Sequence, residues 1–308
     1  MFSEPEQEGN DLSDAASGLL KRQMLEWPAV GKRFGALRHI LVRRLALSTC
    51  CHVAVQFNPD RIRSSAADIS PKALEKRPCF LCPQGRDPLQ RSLPIGDYSI
   101  QVNPFPIFPA HFTVTYFRHT PQRLQGRFTD FLCLMNKLSA FTLFYNGPHS
   151  GASAPDHLHF QACTRGVMPL EEEWRRCSCE LVERQGDVRL WNVKELFRTV
   201  FVLQGDAQET LTHLFEDWCR ALPVRDGEYE PRMNVIGTYG HGQYTLFLLP
   251  RNQMRPSCFY AGDEKRQLTV SPASVEMGGL FITPLEKDYR KITAEDAVGI
   301  YDECTLKI

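Results

Sequence analysis

The sequence predicts an α+β fold in which helices cover antiparallel sheets and the chain forms two related halves. Residues 52–57 alternate in polarity, which is the period of a strand with one face in a core. Residues 121–142 instead place their large apolar side chains on one face of a helix. Segments of the second half also resemble segments of the first, which indicates an internal repeat.

The composition is that of a globular protein without overall charge. The chain has 308 residues, enough for one large domain or two small ones, and 36 acidic residues balance 36 basic ones. Because balanced charge creates no attractive field, we expect neither nucleic acid nor membrane as a partner. Eleven cysteines, irregularly spaced, predict a reducing compartment rather than a disulfide framework. The first residues are acidic and polar, unlike a signal peptide, and we therefore predict a cytoplasmic protein.

The remaining elements of the first half follow in order. Residues 1–13 are predicted to form a polar tail, and a helical pattern over residues 14–34 is broken at Pro28. Two strands are then predicted over residues 98–102 and 111–117, joined by a loop rich in proline and aromatic residues. The helix over residues 121–142 follows and leads to the most informative stretch.

Residues 144–161, FYNGPHSGASAPDHLHFQ, carry the pattern that bears most directly on function. Small and turn-forming residues lead into a short strand with His157, His159 and Gln161 at alternate positions. Alternate residues share one face of a strand, so two imidazoles and a carboxamide would meet there while the residues between them enter a core. Neutral imidazole can attack phosphorus or bind a metal, and an amide can donate to a phosphoryl oxygen. A pair of metal ligands, or a solvated face, is the alternative for the two histidines.

The lead-in to this strand is rich in glycine and serine, which lets backbone N–H groups approach an anion closely. Together with the His-x-His-x-Gln that follows, it resembles the active-site segment of one branch of the histidine-triad superfamily. That branch holds galactose-1-phosphate uridylyltransferases, diadenosine tetraphosphate phosphorylases and GDP-hexose phosphorylases. The resemblance implies a histidine-triad-like (HIT-like) fold, with His159 as nucleophile and Gln161 beside it. It also implies substrate contacts from Asn146, Gly151 and Ser153.

Cys79 and Cys82 have the spacing of a zinc knuckle, which lets both thiolates reach one tetrahedral ion. A redox pair or a merely buried pair is the alternative, although proline and glycine after Cys82 oppose the helix that a redox motif needs. Histidines would have to complete the set, and His111 competes with His119 for one place. In the uridylyltransferases that this sequence resembles, a Cys-x-x-Cys, a histidine after a strand and the first active-site histidine hold zinc. The resemblance thus implies Zn²⁺ on Cys79, Cys82, His119 and His157.

Asn58, Arg61 and Arg63 lie at the exit of the strand over residues 52–57. Arginine grips phosphate through paired donors, but a solvated turn is the commoner setting for such residues. The segment resembles a stretch of GDP-hexose phosphorylases in which an extended chain crosses the substrate. That resemblance implies phosphate or sugar contacts from Asn58 and Arg61.

The internal repeat pairs residues 242–253 with 110–121, and residues 271–289 with 153–174. This alignment puts Ser274 where His159 stands, so the second copy would keep the fold but lack the catalytic histidine. We therefore predict a catalytic half over residues 14–185 and a degenerate half over residues 186–308. Candidate substrate contacts from the second half are Arg251, Glu276 and Lys287, with a solvated surface position as the commoner alternative for each.

The resemblance, together with these patterns, implies nucleotidyl transfer by double displacement, in which His159 forms a covalent nucleotidyl intermediate. The substrate would be a nucleoside diphosphate sugar or a dinucleoside polyphosphate. The acceptor is phosphate in a phosphorylase, a hexose 1-phosphate in a uridylyltransferase, or water in a hydrolase. A zinc-stabilised nucleotide-binding protein without catalysis is the alternative from another class, and a homodimer is left open.

Overall fold

The computed structural model describes residues 8–62, 73–74 and 77–308 and confirms the α+β class. The strands are β1 (Leu41–Ala46), β2 (His52–Phe57), β3 (Ser92–Ile95), β4 (Tyr98–Val102), β5 (His111–Tyr116), β6 (Phe141–Asn146), β7 (His159–Thr164), β8 (Cys179–Gln185), β9 (Val188–Val193), β10 (Val200–Gly205), β11 (Met233–Gly240), β12 (Gln243–Pro250) and β13 (Leu280–Thr283). The helices are α1 (Glu8–Glu26), α2 (Pro28–Ala36), α3 (Phe128–Lys137), α4 (Leu170–Glu173), α5 (Gln208–Ala221), α6 (Ser274–Met277), α7 (Glu286–Lys291) and α8 (Ala294–Cys304). Within these ranges, no helix is both long and apolar enough to cross a membrane.

One antiparallel sheet of ten strands organises the molecule, in the order β3-β4-β5-β7-β6-β11-β12-β10-β9-β8. The order is symmetric about its centre, because each half contributes three strands, a helix and two further strands in the same arrangement. The equivalent strands β6 and β11 pair at the centre, with Asn146 opposite Asn234. The two related halves predicted from the sequence are therefore present.

The halves align differently from the predicted repeat. By position in the sheet, β12 is the counterpart of β7, whereas the repeat paired residues 242–253 with the segment that holds β5. Residues 271–289 lie outside the ten-stranded sheet, and β13 within them pairs in parallel with β2. The predicted alignment was therefore wrong, because apolar strands share a period of two wherever they lie in a sheet. By strand order the second half begins with β8, and the division at residue 186 stays a prediction.

The N-terminal helices cover one face of the sheet. α1 begins at Glu8, so residues 8–13 are helical where a polar tail was predicted, and residues 1–7 lie outside the described part. The predicted break at Pro28 is confirmed, since α2 starts there and proline suits the first turn of a helix. The helix predicted over residues 121–142 is α3, which is shorter because Phe141 already belongs to β6.

Two hydrophobic clusters lie on the two faces of the ten-stranded sheet. One is covered by α1, α2, α3 and α5 and contains Phe160 of β7. The other contains Cys163 of the same strand and packs against β13, α6 and α8. Since side chains alternate along β7, His159 and Gln161 lie on the same face as Cys163, at an open part of the sheet beside the second cluster.

Candidate active site

His159 is the first residue of β7. Its Nδ1 lies 2.8 Å from the carbonyl oxygen of His157. Because a carbonyl oxygen can only accept, Nδ1 carries the proton and donates it, and Nε2 keeps its lone pair. Burial lowers the pKa of His159 to about 4, so the ring is neutral at pH 7. Leu158 and Phe160 point into the core on the opposite side, as predicted.

A buried glutamine fixes the backbone around His159. Gln122 accepts from the His159 amide at 2.8 Å and donates to the carbonyl oxygens of Asn146 and His159 at 2.9 and 3.0 Å. These three bonds use most of the hydrogen-bonding capacity of the Gln122 carboxamide, and they connect the end of β6 to the start of β7. Sequence reasoning missed Gln122, because it was assigned to a helix that begins only at Phe128.

The four predicted metal ligands come together. Cys79 Sγ lies 3.3 Å from His157 Nδ1, and Cys82 Sγ lies 3.3 Å from His119 Nδ1. All four ligand atoms lie within 4.8 Å of one another. Zinc bonded tetrahedrally to sulfur and nitrogen separates its ligand atoms by about 3.3 to 3.8 Å, which the two 3.3 Å contacts match, so these residues could hold a metal ion of this kind.

The tautomer of His157 supports the same conclusion. Its Nε2 donates to the carbonyl oxygen of Tyr116 at 2.8 Å, which leaves the lone pair of Nδ1 facing both thiols. A backbone carbonyl in this position is the usual outer partner of a metal-bound histidine. His111 is not part of the cluster, so the preference for His119 agrees with the structure.

A cleft of about 520 Å³ opens over His159 and Gln161. Among the described residues, its lining includes one acidic residue, Asp87, and the following arginine and aromatic side chains: Arg33, Arg61, Arg77, Arg86, Trp27, Phe80 and Phe105. Guanidinium groups attract and orient phosphates, and aromatic faces can stack on a nucleobase. The lining therefore suits an anion that carries an aromatic ring.

Two of these arginines are held in place by contacts at the rim. Arg33 donates to the carbonyl oxygen of Pro104 at 3.0 Å and lies 4.3 Å over the ring of Phe105. Arg77 donates to Asp156 at 3.0 Å and lies 4.8 Å over the ring of Phe80. Sequence reasoning missed both, because only the fold brings residues this distant in sequence to one cleft.

The two residues predicted at the exit of β2 have different positions. Arg61 lines the cleft and donates to the carbonyl oxygen of Phe105 at 2.9 Å. Burial lowers the pKa of Arg61 to about 10, so it remains charged at pH 7. Asn58 is buried and donates to the carbonyl oxygen of Pro106 at 3.1 Å, so it supports the cleft wall from behind. Arg63 lies outside the described residues.

The lead-in loop is held by the second half of the chain. Asn146 Oδ1 accepts from the Ser274 amide at 2.8 Å and from Asn234 Nδ2 at 3.1 Å. Gly151 has φ of +99°, and a Cβ built there would lie 2.5 Å from Cβ of Ala273. Glycine is therefore required at this contact.

A smaller cavity of about 50 Å³ lies beside the cleft. Arg61, Ser153 and Gln161 line both spaces, whereas Asn146 and Gly151 line only the smaller one.

The three candidate substrate contacts from the second half lie in three different environments. Glu276 lines the smaller cavity, and burial raises its pKa to about 7. Arg251 is buried and donates to the carbonyl oxygens of Cys304 and Pro272, each at 3.0 Å. Lys287 is exposed and pairs with Glu264 at 2.9 Å. Of the three, only Glu276 lines either cavity.

Gln161 has a buried partner on the neighbouring strand. His111 of β5 is fully buried, and its Nε2 lies 2.9 Å from Gln161 Oε1. The backbone N–H of Ile107 donates to His111 Nδ1 at 3.2 Å. Burial lowers the pKa of His111 to about 3, so this ring is also neutral.

Comparison with known proteins finds similarity chiefly in the fold. Residues 19–164 match a family described as "Domain of unknown function (DUF4922)". The crystal structure of yeast Ap4A phosphorylase Apa2 superposes with a TM-score of 0.61 at 15% identity, over 93% of this chain and 97% of that chain. The same yeast enzyme in complex with Ap4A gives a TM-score of 0.62 at 16% identity, with the same two coverages. Its complex with AMP gives 0.59 at 15% identity, over 93% of this chain and 96% of that chain. A search of curated proteins finds no match.

Proposed function

We propose that this chain is a nucleotidyl-transferring phosphorylase that acts on a dinucleoside polyphosphate through a nucleotidyl-histidine intermediate. The observation that carries the proposal is the state of His159. Its Nδ1–H is held by a backbone carbonyl, and its unprotonated Nε2 lies in a cleft lined by arginines. An imidazole in this state is a ready nucleophile toward phosphorus.

The reaction takes two displacements at one phosphorus atom. In the first, the lone pair of His159 Nε2 forms a bond to phosphorus, and the bond from phosphorus to the bridging oxygen breaks with its electron pair on the leaving phosphate. His159 then carries the nucleotide and a positive charge, which the bond from Nδ1–H to the His157 carbonyl stabilises. In the second displacement, an acceptor oxygen bonds to phosphorus and the electron pair of the P–N bond returns to Nε2. Gln161 and the cleft arginines bind the phosphoryl oxygens in both steps.

The charge of the cleft supports the choice of substrate. Arg33, Arg61, Arg77 and Arg86 line the cleft, and Asp87 is the one acidic residue in the described part of this lining, while Arg77 also pairs with Asp156. A dinucleoside polyphosphate suits this excess of positive charge because it carries more negative charge than a nucleoside diphosphate sugar. The fold shared with yeast Ap4A phosphorylase, which has been crystallised with Ap4A and with AMP, supports the same class. We take inorganic phosphate as the acceptor, and a hexose 1-phosphate as the alternative that would make the protein a uridylyltransferase.

Cys79, Cys82, His119 and His157 would hold a structural zinc ion, since protein side chains fill all four positions. Bound there, zinc would fix the start of β7 to the loop that carries Cys79 and Cys82. None of the eleven cysteines forms a disulfide, which supports a reducing compartment such as the cytoplasm.

The test is to trap the intermediate. Protein incubated with Ap4A in the absence of acceptor should gain the mass of one nucleoside monophosphate, on a bond labile to acid and stable to base. Phosphate added afterwards should release the label as a nucleoside diphosphate. Release only by a hexose 1-phosphate would identify a transferase. Tight binding of Ap4A without label or turnover would contradict the proposal and leave a nucleotide-binding protein.

A further inference from the structure

The hydrogen bonds around His111 decide which end of the Gln161 carboxamide faces the cleft. The Ile107 amide donates to His111 Nδ1, so the single ring proton of this neutral histidine lies on Nε2. That Nε2–H has Gln161 Oε1 as its acceptor at 2.9 Å. The carboxamide of Gln161 therefore turns its oxygen toward His111, and its NH₂ group is left for the cleft.

Without such a partner the carboxamide has two nearly equivalent orientations. Rotation by half a turn about the last side-chain bond exchanges oxygen and nitrogen, which have similar shapes. In one orientation the cleft meets two N–H donors, and in the other it meets a carbonyl oxygen that repels a phosphoryl oxygen. A neutral histidine with one fixed proton distinguishes the two orientations.

We propose that His111 is a positioning residue that orients the Gln161 carboxamide so that its NH₂ group binds a phosphoryl oxygen during nucleotidyl transfer. The inference rests on the proposed function, because it assigns Gln161 to the phosphorus that His159 attacks. His111 itself is fully buried and touches neither cavity. It acts on the reaction through Gln161 alone.

The kinetic test is a double-mutant cycle read by the rate of label formation on His159. His111→Asn keeps an acceptor for Ile107 but is too short to reach Gln161. It should slow label formation roughly two- to tenfold, the effect expected for the loss of one neutral hydrogen bond, with little change in KM. In a Gln161→Leu background the same substitution should have no further effect, because the side chain that it orients is gone. An equal loss in both backgrounds would show a general structural role and overturn the proposal.

Two further variants keep the proposal testable even if His111→Asn does not fold. His111→Gln places a donor near the original Nε2 and should recover most of the rate. Gln161→Glu keeps the bond from His111 but presents an anionic oxygen to the cleft, so it should be slower than Gln161→Leu. A Gln161→Glu protein as fast as wild type would contradict the orientation that we infer.

A readout independent of turnover separates this proposal from the proposed function. In ¹H–¹⁵N spectra of protein labelled at glutamine, the Gln161 NH₂ pair is assigned by its loss in Gln161→Leu. Adding AMP should shift that pair in the wild type and shift it clearly less in His111→Asn, where the carboxamide takes both orientations. Absence of label on the wild type would contradict the enzyme reaction alone, whereas an NH₂ pair that responds equally in both proteins would overturn the role of His111.

Discussion

At the scale of single residues, replacing the two histidines of the His-x-His pair should have different effects. His159→Ala removes the nucleophile but no metal ligand, so we expect it to fold, keep its zinc and lose turnover. His157→Ala removes a residue that contacts both thiols, so it should lose zinc and stability as well. Turnover, metal content and thermal unfolding measured on both variants test this. Full turnover in His159→Ala, or label found on His157, would reverse the assignment.

Arg61 allows a second test at this scale, since it lines both the cleft and the smaller cavity. Removing one charge-assisted contact costs about 1.5 to 3 kcal/mol, so Arg61→Ala should lower kcat/KM by roughly 10- to 100-fold. Arg290→Ala is the control, because Arg290 is exposed and its ion pair in the described part of the chain is with Glu286 on its own helix. Equal kinetics in the two variants would return Arg61 to a purely structural role.

Sequence reasoning placed well the residues that are close together in sequence, and the family resemblance added the more distant set of Cys79, Cys82, His119 and His157. The alternation of His157, His159 and Gln161 requires only that the segment be a strand, and the fixed tautomer of His159 follows from a carbonyl two residues away. Gln122 and Arg77 could not be predicted, because their partners are distant in sequence and depend on the whole sheet. Asn58 was given a substrate contact, yet its amide reaches a carbonyl of the neighbouring loop.

At the scale of elements, the Cys79–Cys82 loop and the start of β7 should be held together by metal. Purified protein never exposed to chelator should contain about one zinc per chain. Removing the ion should lower the unfolding temperature, because the metal bonds that tie the Cys79–Cys82 loop to the start of β7 would be lost. Metal analysis and thermal melts before and after chelation measure both effects. Less than about half an equivalent of zinc would speak against the site.

Glu230 pins the turn before α3 to β6, and this contact should depend on pH. Its carboxylate accepts from the Leu124 amide at 2.9 Å and from the hydroxyl of Tyr145, with Arg123 nearby. Burial raises the pKa of Glu230 to about 7, above its unfolded value of 4.5, so the folded protein binds the proton more tightly. The resulting stabilisation is complete below pH 4.5 and is lost as the pH rises through about 7.

The comparison variant for that effect is Glu230→Gln, which cannot titrate. Between pH 4.5 and 8 the free energy of unfolding of wild type should fall relative to this variant, by roughly 3 kcal/mol for a shift of this size. Urea titrations of both proteins across that range measure the difference. Curves that run parallel would show that Glu230 keeps an ordinary pKa.

At the scale of the whole molecule, the second half supports the catalytic loop of the first. Gly151→Ala would force the loop away from Ala273, so we expect lower turnover and lower stability. Gly166→Ala is the matched control, because Gly166 also has a positive φ, and apart from its chain neighbours no atom of the described residues lies within 4 Å of the added Cβ. The Gly166→Ala variant therefore has the strained backbone of a residue with positive φ but no steric clash of its new Cβ. Assays and denaturant titrations of both variants isolate the contact between halves, and equal losses would show that strain alone is responsible.

The fold class and the existence of two halves could be predicted from sequence. The spacing of apolar residues identifies each helix or strand without any knowledge of the elements that it packs against. The pairing of the halves could not be predicted. The segments that look most alike, 110–121 and 242–253, hold β5 and β12, which occupy different places in their halves. Ser274, placed by that alignment on His159, instead donates to Asn146 and helps to hold the catalytic loop.

The turn between β11 and β12 consists of His241 and Gly242, both with positive φ, whereas residues 147–158 separate the equivalent strands β6 and β7. A two-residue hairpin closes the strand ends directly and leaves no chain to surround a ligand. The stoichiometry of the reaction follows from this difference. Two similar halves should together take up a single nucleotide, and label on the intact protein should saturate at one equivalent however much substrate is added.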